Sequence, residues 1–187
     1  MSVLIDQIMA ANREFVRESV KQGGLDAISK YPKRNLAVLT CMDTRLLSFL
    51  EPAMGLERGE AKIIKVAGNT ACEDFDSIIG SLMVAVYELH VHEIIVMGHD
   101  DCGMLHTTAD SLCDKMKAQG IDQVLIDGVR PRLEAWADSI CDVDSTVCQT
   151  VERLKHNPYL PKDILVHGAV IHPHTGEIRI VTKETEA

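Results

Sequence analysis

The sequence predicts an α/β fold: a single domain with a mostly parallel central sheet flanked by helices and an antiparallel edge strand at the C-terminal end. Three observations carry this. Short apolar runs alternate with longer stretches of helical periodicity, the pattern of strands covered by helices on both faces. The first run, Leu36 to Thr40, is almost wholly apolar instead of alternating, as buried parallel strands are. The last two runs are joined only by the polar turn His172-Pro-His-Thr-Gly, which fits a hairpin and therefore an antiparallel partner. With 187 residues and no repeat, linker or low-complexity segment, one domain over 1–187 is expected.

In chain order, Leu4, Ile8, Ala11, Phe15 and Val16 are spaced three to four apart, predicting an amphipathic helix within residues 1–22 that stops at Gly23-Gly24. Because it stands outside any strand-helix repeat, it serves either as a dimer arm or as an ordinary core-facing helix. Tyr31-Pro32 breaks the chain before the strand Leu36 to Thr40, and Cys41 stands at its exit. A short helix follows from Arg45 to Leu50, stopped near Pro52, and then turn residues lead to a strand from Ala61 to Val66 closed by Gly68-Asn69. From Asp74 to His90 the stripe Phe75, Ile78, Ile79, Leu82, Val86 and Leu89 predicts a helix with an acidic start. It leads to the strand Ile94 to Met97, then His99 to Cys102, then a helix from Met104 to Ala118 ended by Gly120. Residues 121–140 and 145–156 are expected to be helical, the first broken at Pro131. Asp142 to Ser145 supplies a turn and an N-cap before the second. The strands Ile164 to Ile171 and Glu177 to Thr182 form the terminal hairpin.

Composition excludes several functions. The hydrophobic content is 46% but contains no apolar run of membrane-spanning length, so a soluble globular chain is expected and a membrane partner is not. A formal charge of −9 repels a phosphate backbone and argues against nucleic acid. The N-terminus lacks the basic-then-apolar layout of a secretory signal. Most of the six cysteines are expected to be free thiols, since disulfide frameworks belong mainly to short secreted domains. Together these place the protein in the cytoplasm.

The chemistry concentrates at two strand ends. Glu93 to Met104 runs Glu-Ile-Ile-Val-Met-Gly-His-Asp-Asp-Cys-Gly-Met, so a buried strand delivers an imidazole, His99, and a thiol, Cys102, within four residues. The first strand ends at Cys41, followed by Asp43 and Arg45. In open α/β sheets ligand sites form beyond the carboxyl ends of strands, where strand order reverses. If the first and third strands are neighbours, Cys41, His99 and Cys102 make a Cys2His donor set suited to zinc. Three protein donors are the pattern of a catalytic site, whereas a structural zinc is closed by four.

Asp43 is the one local candidate for a fourth ligand. It either binds the metal and closes the site, or pairs with Arg45 and accepts a hydrogen bond from a zinc-bound hydroxide; the two states exclude each other. Each short motif taken alone is better explained as packing or a surface ion pair. Their placement at two strand ends, with Gly98 and Gly103 giving room around the second, favours a site. His90, His92, His106, His156, His167, His172 and His174 are expected to be solvated or satisfied in the core, although His106 is close enough in sequence to carry protons. Asp100 and Asp101 are read as spacers that face the pocket or cap the next helix.

These residues resemble the β-class carbonic anhydrases, and the smaller microbial branch in particular. The resemblance rests on Cys41-Met-Asp43-Thr-Arg45 and His99-Asp-Asp-Cys102-Gly103-Met104. It extends to Arg58-Gly59-Glu60-Ala61, Ala67-Gly68-Asn69, Val166-His-Gly168-Ala and Thr175-Gly176, and so spans roughly residues 36 to 182. It implies a zinc enzyme that converts carbon dioxide and water to bicarbonate through a zinc-bound hydroxide, as a homodimer or a multiple of dimers. Cys41, His99 and Cys102 would bind zinc, with Asp43 and Arg45 as the gatekeeping pair. Where plant-type members place a glutamine to hold substrate, this chain has Glu57-Arg58-Gly59-Glu60; Lys65-Val66 and Asp100 also depart from common family residues.

Three competing functions follow: a carbon disulfide or carbonyl sulfide hydrolase on the same site, a non-catalytic zinc-binding or redox-sensing protein closed by Asp43, and a nucleotide-binding protein. The last lacks any glycine-rich phosphate motif after a strand.

Overall fold

A computed structural model describes residues 3–22, 24 and 27–184. Five strands, β1 (Leu36–Cys41), β2 (Ala61–Val66), β3 (Glu93–His99), β4 (Leu165–Ile171) and β5 (Ile178–Thr182), form one sheet in the order β2-β1-β3-β4-β5. The first four are parallel, and β5 runs antiparallel to β4 at the edge. The expected α/β class, its parallel sheet and its antiparallel edge are all present. The chain passes from β1 outward to β2 and then crosses to β3 on the other side of β1, so the loops leaving β1 and β3 diverge. A crevice opens where they part.

Successive residues of a strand face opposite sides of the sheet, and β1 uses both. Ala37 and Leu39 join Ile94, Val96, Val166 and Val170 in one core, packed against α3 (Ser77–Met83) and α6 (Val143–Lys155). Leu36 and Val38 join Met97, Ala169 and Ile171 in the other, covered by Leu46, Leu50 and Leu56. Burial on both faces explains why this strand is continuously apolar. At Gly98 a Cβ would lie 2.7 Å from a methyl of Val147 and 3.0 Å from one of Val143. That glycine admits α6 against β3; it does not make room around the metal donors, as the sequence had suggested.

Several helix boundaries differ from expectation. The helix expected from Arg45 to Leu50 is split into a 3-10 turn, Thr44–Leu46, and the short α2 (Leu50–Ala53). Ser48 between them has a left-handed φ of 55°, which no helix accommodates, and Pro52 lies inside α2 instead of stopping the helix earlier. The helix expected from Asp74 begins at Ser77, because the Asp76 carboxylate accepts from the backbone amides of Ile78 and Ile79 as an N-cap. It ends in a π-helical turn, Val84–Glu88. The chain after Cys102 forms a 3-10 turn, Gly103–His106, before α4 (Ala109–Ala118) starts at the Thr108 capping box. α5 (Gln123–Ala137) runs through Pro131 without the expected break. α6 starts two residues earlier than expected, at Val143, with Asp142 as its N-cap.

α1 (Val3–Lys21) has no buried residue; Leu4, Ile8, Phe15 and Val16 are all exposed. The expected stop at Gly23 lies outside the described residues. Among the described residues, no helix is long and apolar enough to cross a membrane.

Candidate metal centre

The register places β1 and β3 side by side, with Thr40 opposite Met97. Cys41 is therefore one residue, and His99 two, beyond a paired position on adjacent strands. Cys102 returns to the same point three residues after His99. That return needs a tight reversal, which Asp101 supplies with a left-handed φ of 55°. The donor atoms of Cys41, His99 and Cys102 all lie within 4.8 Å of one another, and all three residues are buried. Among the described residues, no other group of three or more His, Cys, Asp or Glu is brought together in this way.

The two sulfurs are 3.9 Å apart. Tetrahedral zinc with bonds of about 2.3 Å to each sulfur would separate them by about 3.8 Å. His99 Nδ1 lies 2.9 Å from the Asp100 carbonyl oxygen. A carbonyl only accepts, so Nδ1 carries the proton and Nε2 is left with its lone pair toward the sulfurs. Nε2 is buried without a hydrogen-bond partner. An orphaned buried nitrogen beside two thiols is the arrangement a borderline-soft cation satisfies, and the residues present fit zinc.

The thiols titrate as a pair. The hydrogen bond from Cys102 holds Cys41 well below the ordinary thiol range against the effect of burial, with His99 and the backbone amides of Gly68 and Asp43 acting in the same direction. Cys102 is pushed up by that bond and by burial, with the Met104 amide opposing. Metal-free protein thus carries one thiolate readily and resists a second, and a bound cation replaces the remaining proton. Burial works against a protonated His99, but Cys41, the Asp100 carbonyl and Asp43 together raise its pKa. Gly68, whose amide helps hold Cys41, has a φ of 71°, and a Cβ there would sit 2.7 Å from Ile140.

Asp43 is turned toward Arg45. Its Oδ1 accepts from the Arg45 backbone amide at 2.8 Å and from Nε at 3.0 Å, and its Oδ2 accepts from Nη2 at 2.9 Å. The guanidinium holds the carboxyl down at about pKa 2. The same Oδ2 is 3.8 Å from His99 Nε2, so the carboxylate borders the donor set while both of its oxygens accept from Arg45. Of the two arrangements open to Asp43, the structure holds the Arg45-paired one.

Asp100 and Asp101 lie outside the donor group, and both form ion pairs. Asp101 caps no helix: its Oδ2 accepts from Arg45 Nη1 at 2.9 Å and its carbonyl from Nη2 at 2.8 Å. Asp100 pairs with Arg179 on β5, which also reaches Asp144 at the start of α6. His106 is exposed at the end of its 3-10 turn. Cys113 is buried within α4, and Cys141 and Cys148 stand outside the donor set.

Residues 36–178 match the sequence profile of a family described as carbonic anhydrase. Beta-carbonic anhydrase 1 of Mycobacterium tuberculosis is 32% identical over 152 residues, covering 81% of this chain and 84% of that protein. The chain belongs to the β-class carbonic anhydrase family. Its fold matches the crystal structure of β-carbonic anhydrase isoform I from Trichomonas vaginalis with a TM-score of 0.93 and 39% identity, over 99% of this chain and 100% of the other. A carbon disulfide hydrolase of Acidithiobacillus thiooxidans is 30% identical over 157 residues, 78% of this chain and 76% of that protein. The chain is thus a carbonic anhydrase-family enzyme with relatives that bear another activity's name.

Proposed function

We propose that this β-class enzyme catalyses the reversible hydration of carbon dioxide to bicarbonate, with zinc held by Cys41, His99 and Cys102 and with Asp43 and Arg45 as its gate. The observation that carries this reading is the donor set itself: three buried donors lie within 4.8 Å of one another, and the Asp43 carboxylate beside them is turned to a guanidinium. Zinc bound by such a set would supply hydroxide as a nucleophile, more of it above neutral pH because two thiolates weaken the acidification of coordinated water. The protein's own contribution is positional. The Asp100 carbonyl orients His99, the Gly68 and Asp43 amides favour thiolate on Cys41, and Arg45 keeps the Asp43 carboxylate off the fourth position. Asp43 is ionised throughout the neutral range and presents only acceptors there.

A second reading, hydrolysis of carbon disulfide or carbonyl sulfide, draws support from the similarity to the Acidithiobacillus enzyme. All three molecules are linear heterocumulenes, and the same donors serve each. Parallel stopped-flow hydration of carbon dioxide and sulfide-release assays separate the readings. Carbon dioxide turnover is expected to exceed sulfide release by at least tenfold, and the reverse order overturns the assignment.

We also infer a homodimer, or a multiple of dimers, in which α1 lies on a second copy. An isolated helix of this length is marginal in water, yet its stripe of Leu4, Ile8, Phe15 and Val16 is uncovered within the chain. Light scattering should give twice the chain mass or a multiple of it, and Phe15→Asp should shift the protein toward monomer. A wild-type monomer at tens of micromolar would contradict this. The six unpaired cysteines fit the reducing cytoplasm.

A further inference from the structure

We propose that Asp101 is a positioning residue for the gate, a left-handed turn residue whose carboxylate and carbonyl together fix the Arg45 guanidinium in the orientation that holds Asp43. The inference deepens the proposed role of the Asp43–Arg45 pair and rests on that reading.

The geometry assigns four of the five N–H groups of the guanidinium. Nε and Nη2 grip the two oxygens of Asp43 at 3.0 and 2.9 Å, while Nη1 reaches Asp101 Oδ2 at 2.9 Å and Nη2 reaches the Asp101 carbonyl at 2.8 Å. Asp43 and Asp101 do not compete: they occupy different edges of one planar fork, and each can be satisfied while the other is. Arg45 is thus anchored by a residue whose carboxylate is not part of the donor group.

Three further facts make the anchor more than an incidental surface pair. First, the Asp101 side chain is 76% exposed, and an exposed ion pair alone contributes little; here the same residue adds a backbone acceptor whose direction the fold sets. Second, Asp101 holds a left-handed φ of 55° within the reversal between His99 and Cys102, and in that conformation its carbonyl accepts from Arg45 Nη2. Asp tolerates this conformation and Ala resists it. Third, a free arginine side chain has many rotamers, so an unanchored Arg45 would lose orientation toward Asp43. The Asp43 carboxylate, already 3.8 Å from His99 Nε2, would then be freer to turn to the fourth position.

The test reads the gate through the Arg45 Nε–H group, which bonds Asp43 and not Asp101. Its proton resonance, assigned by its loss in Arg45→Lys, is followed by hydrogen exchange in full-length zinc-loaded protein. Wild-type protein should show a slowly exchanging Nε–H. Asp101→Gly keeps the left-handed turn and the carbonyl but removes the carboxylate, and should exchange at least fivefold faster. Asp101→Ala, which also strains the turn, should exchange faster still, and Asp101→Asn, which keeps both acceptors, should stay within twofold of wild type. Exchange within twofold of wild type in both the Gly and Ala variants overturns the proposal. So does an equal effect of all three substitutions accompanied by an equal loss of thermal stability, which marks Asp101 as a structural turn residue alone. Because exchange is read without turnover, failure of the carbon dioxide assignment leaves this result interpretable.

Discussion

Cys102→Ser is expected to lose zinc and activity together. The residue is 5% exposed, its sulfur is 3.9 Å from that of Cys41, and no other cysteine lies near enough to replace it. Removing even an outer hydrogen-bond partner of a ligand typically weakens metal affinity about 10- to 100-fold. Loss of the ligand itself should therefore cost more than about 100-fold, leaving two donors and a buried hydroxyl. Metal analysis after dialysis against a weak chelator should find far less than one zinc per chain, with hydration falling in proportion. The circular dichroism should stay native, because the Cys102 neighbourhood is a small part of a core built mainly by Leu36, Val38, Leu50, Met97 and Ile171. A variant with full zinc and full activity would remove Cys102 from the donor set.

Asp43→Ala separates gate from scaffold. Because both oxygens of Asp43 are engaged by Arg45, the zinc content should be unchanged while turnover falls about 100-fold, at the lower end of what a positioned proton-accepting group contributes. The pH dependence has a definite sign. With its pKa held at about 2 by Arg45, Asp43 stays ionised from pH 6 to 9, so its own titration gives no step there. Two thiolates donate more charge to a metal than imidazoles would and weaken the acidification of coordinated water. Wild-type activity should accordingly rise above neutral pH. Removing the guanidinium, as in Arg45→Gln, takes away the largest influence that lowers the Asp43 pKa and lets it move up toward an ordinary carboxylate value. Loss of zinc in Asp43→Ala, or a flat wild-type profile from pH 6 to 9, would contradict this account.

The donor set was legible in the sequence because it depends on few facts: two apolar runs, their polar exits and the adjacency of the strands they form. Leu36 to Cys41 and Glu93 to His99 sit next to each other as expected, and the hairpin of β4 and β5 needed only its turn. Helix boundaries were less legible. Periodicity marks the apolar face but not the capping residue, so Asp76 and Thr108 moved helix starts toward the C-terminus and Asp142 moved one the other way. Pro131 shows tertiary packing overriding a local rule: α5 packs along α4 and keeps its course through the proline. The roles of Asp100 and Asp101 were hidden for another reason. Their partners, Arg179 and Arg45, lie 79 and 56 residues away, and only the left-handed turn at Asp101 aims it at the gate. An acidic residue in a tight loop between two expected ligands was the one available signal, and it does not name a partner.

The central claim is that hydration depends on metal held by Cys41, His99 and Cys102. The direct measurement is stopped-flow carbon dioxide hydration on protein stripped by a chelator and then titrated with zinc, with bound metal quantified at each step, at pH 7 and pH 9. Stripped protein should show negligible activity, with recovery linear in bound zinc up to one per chain and a higher rate per zinc at pH 9. Full hydration by metal-free protein, or none at pH 9 with one zinc bound per chain, would contradict it.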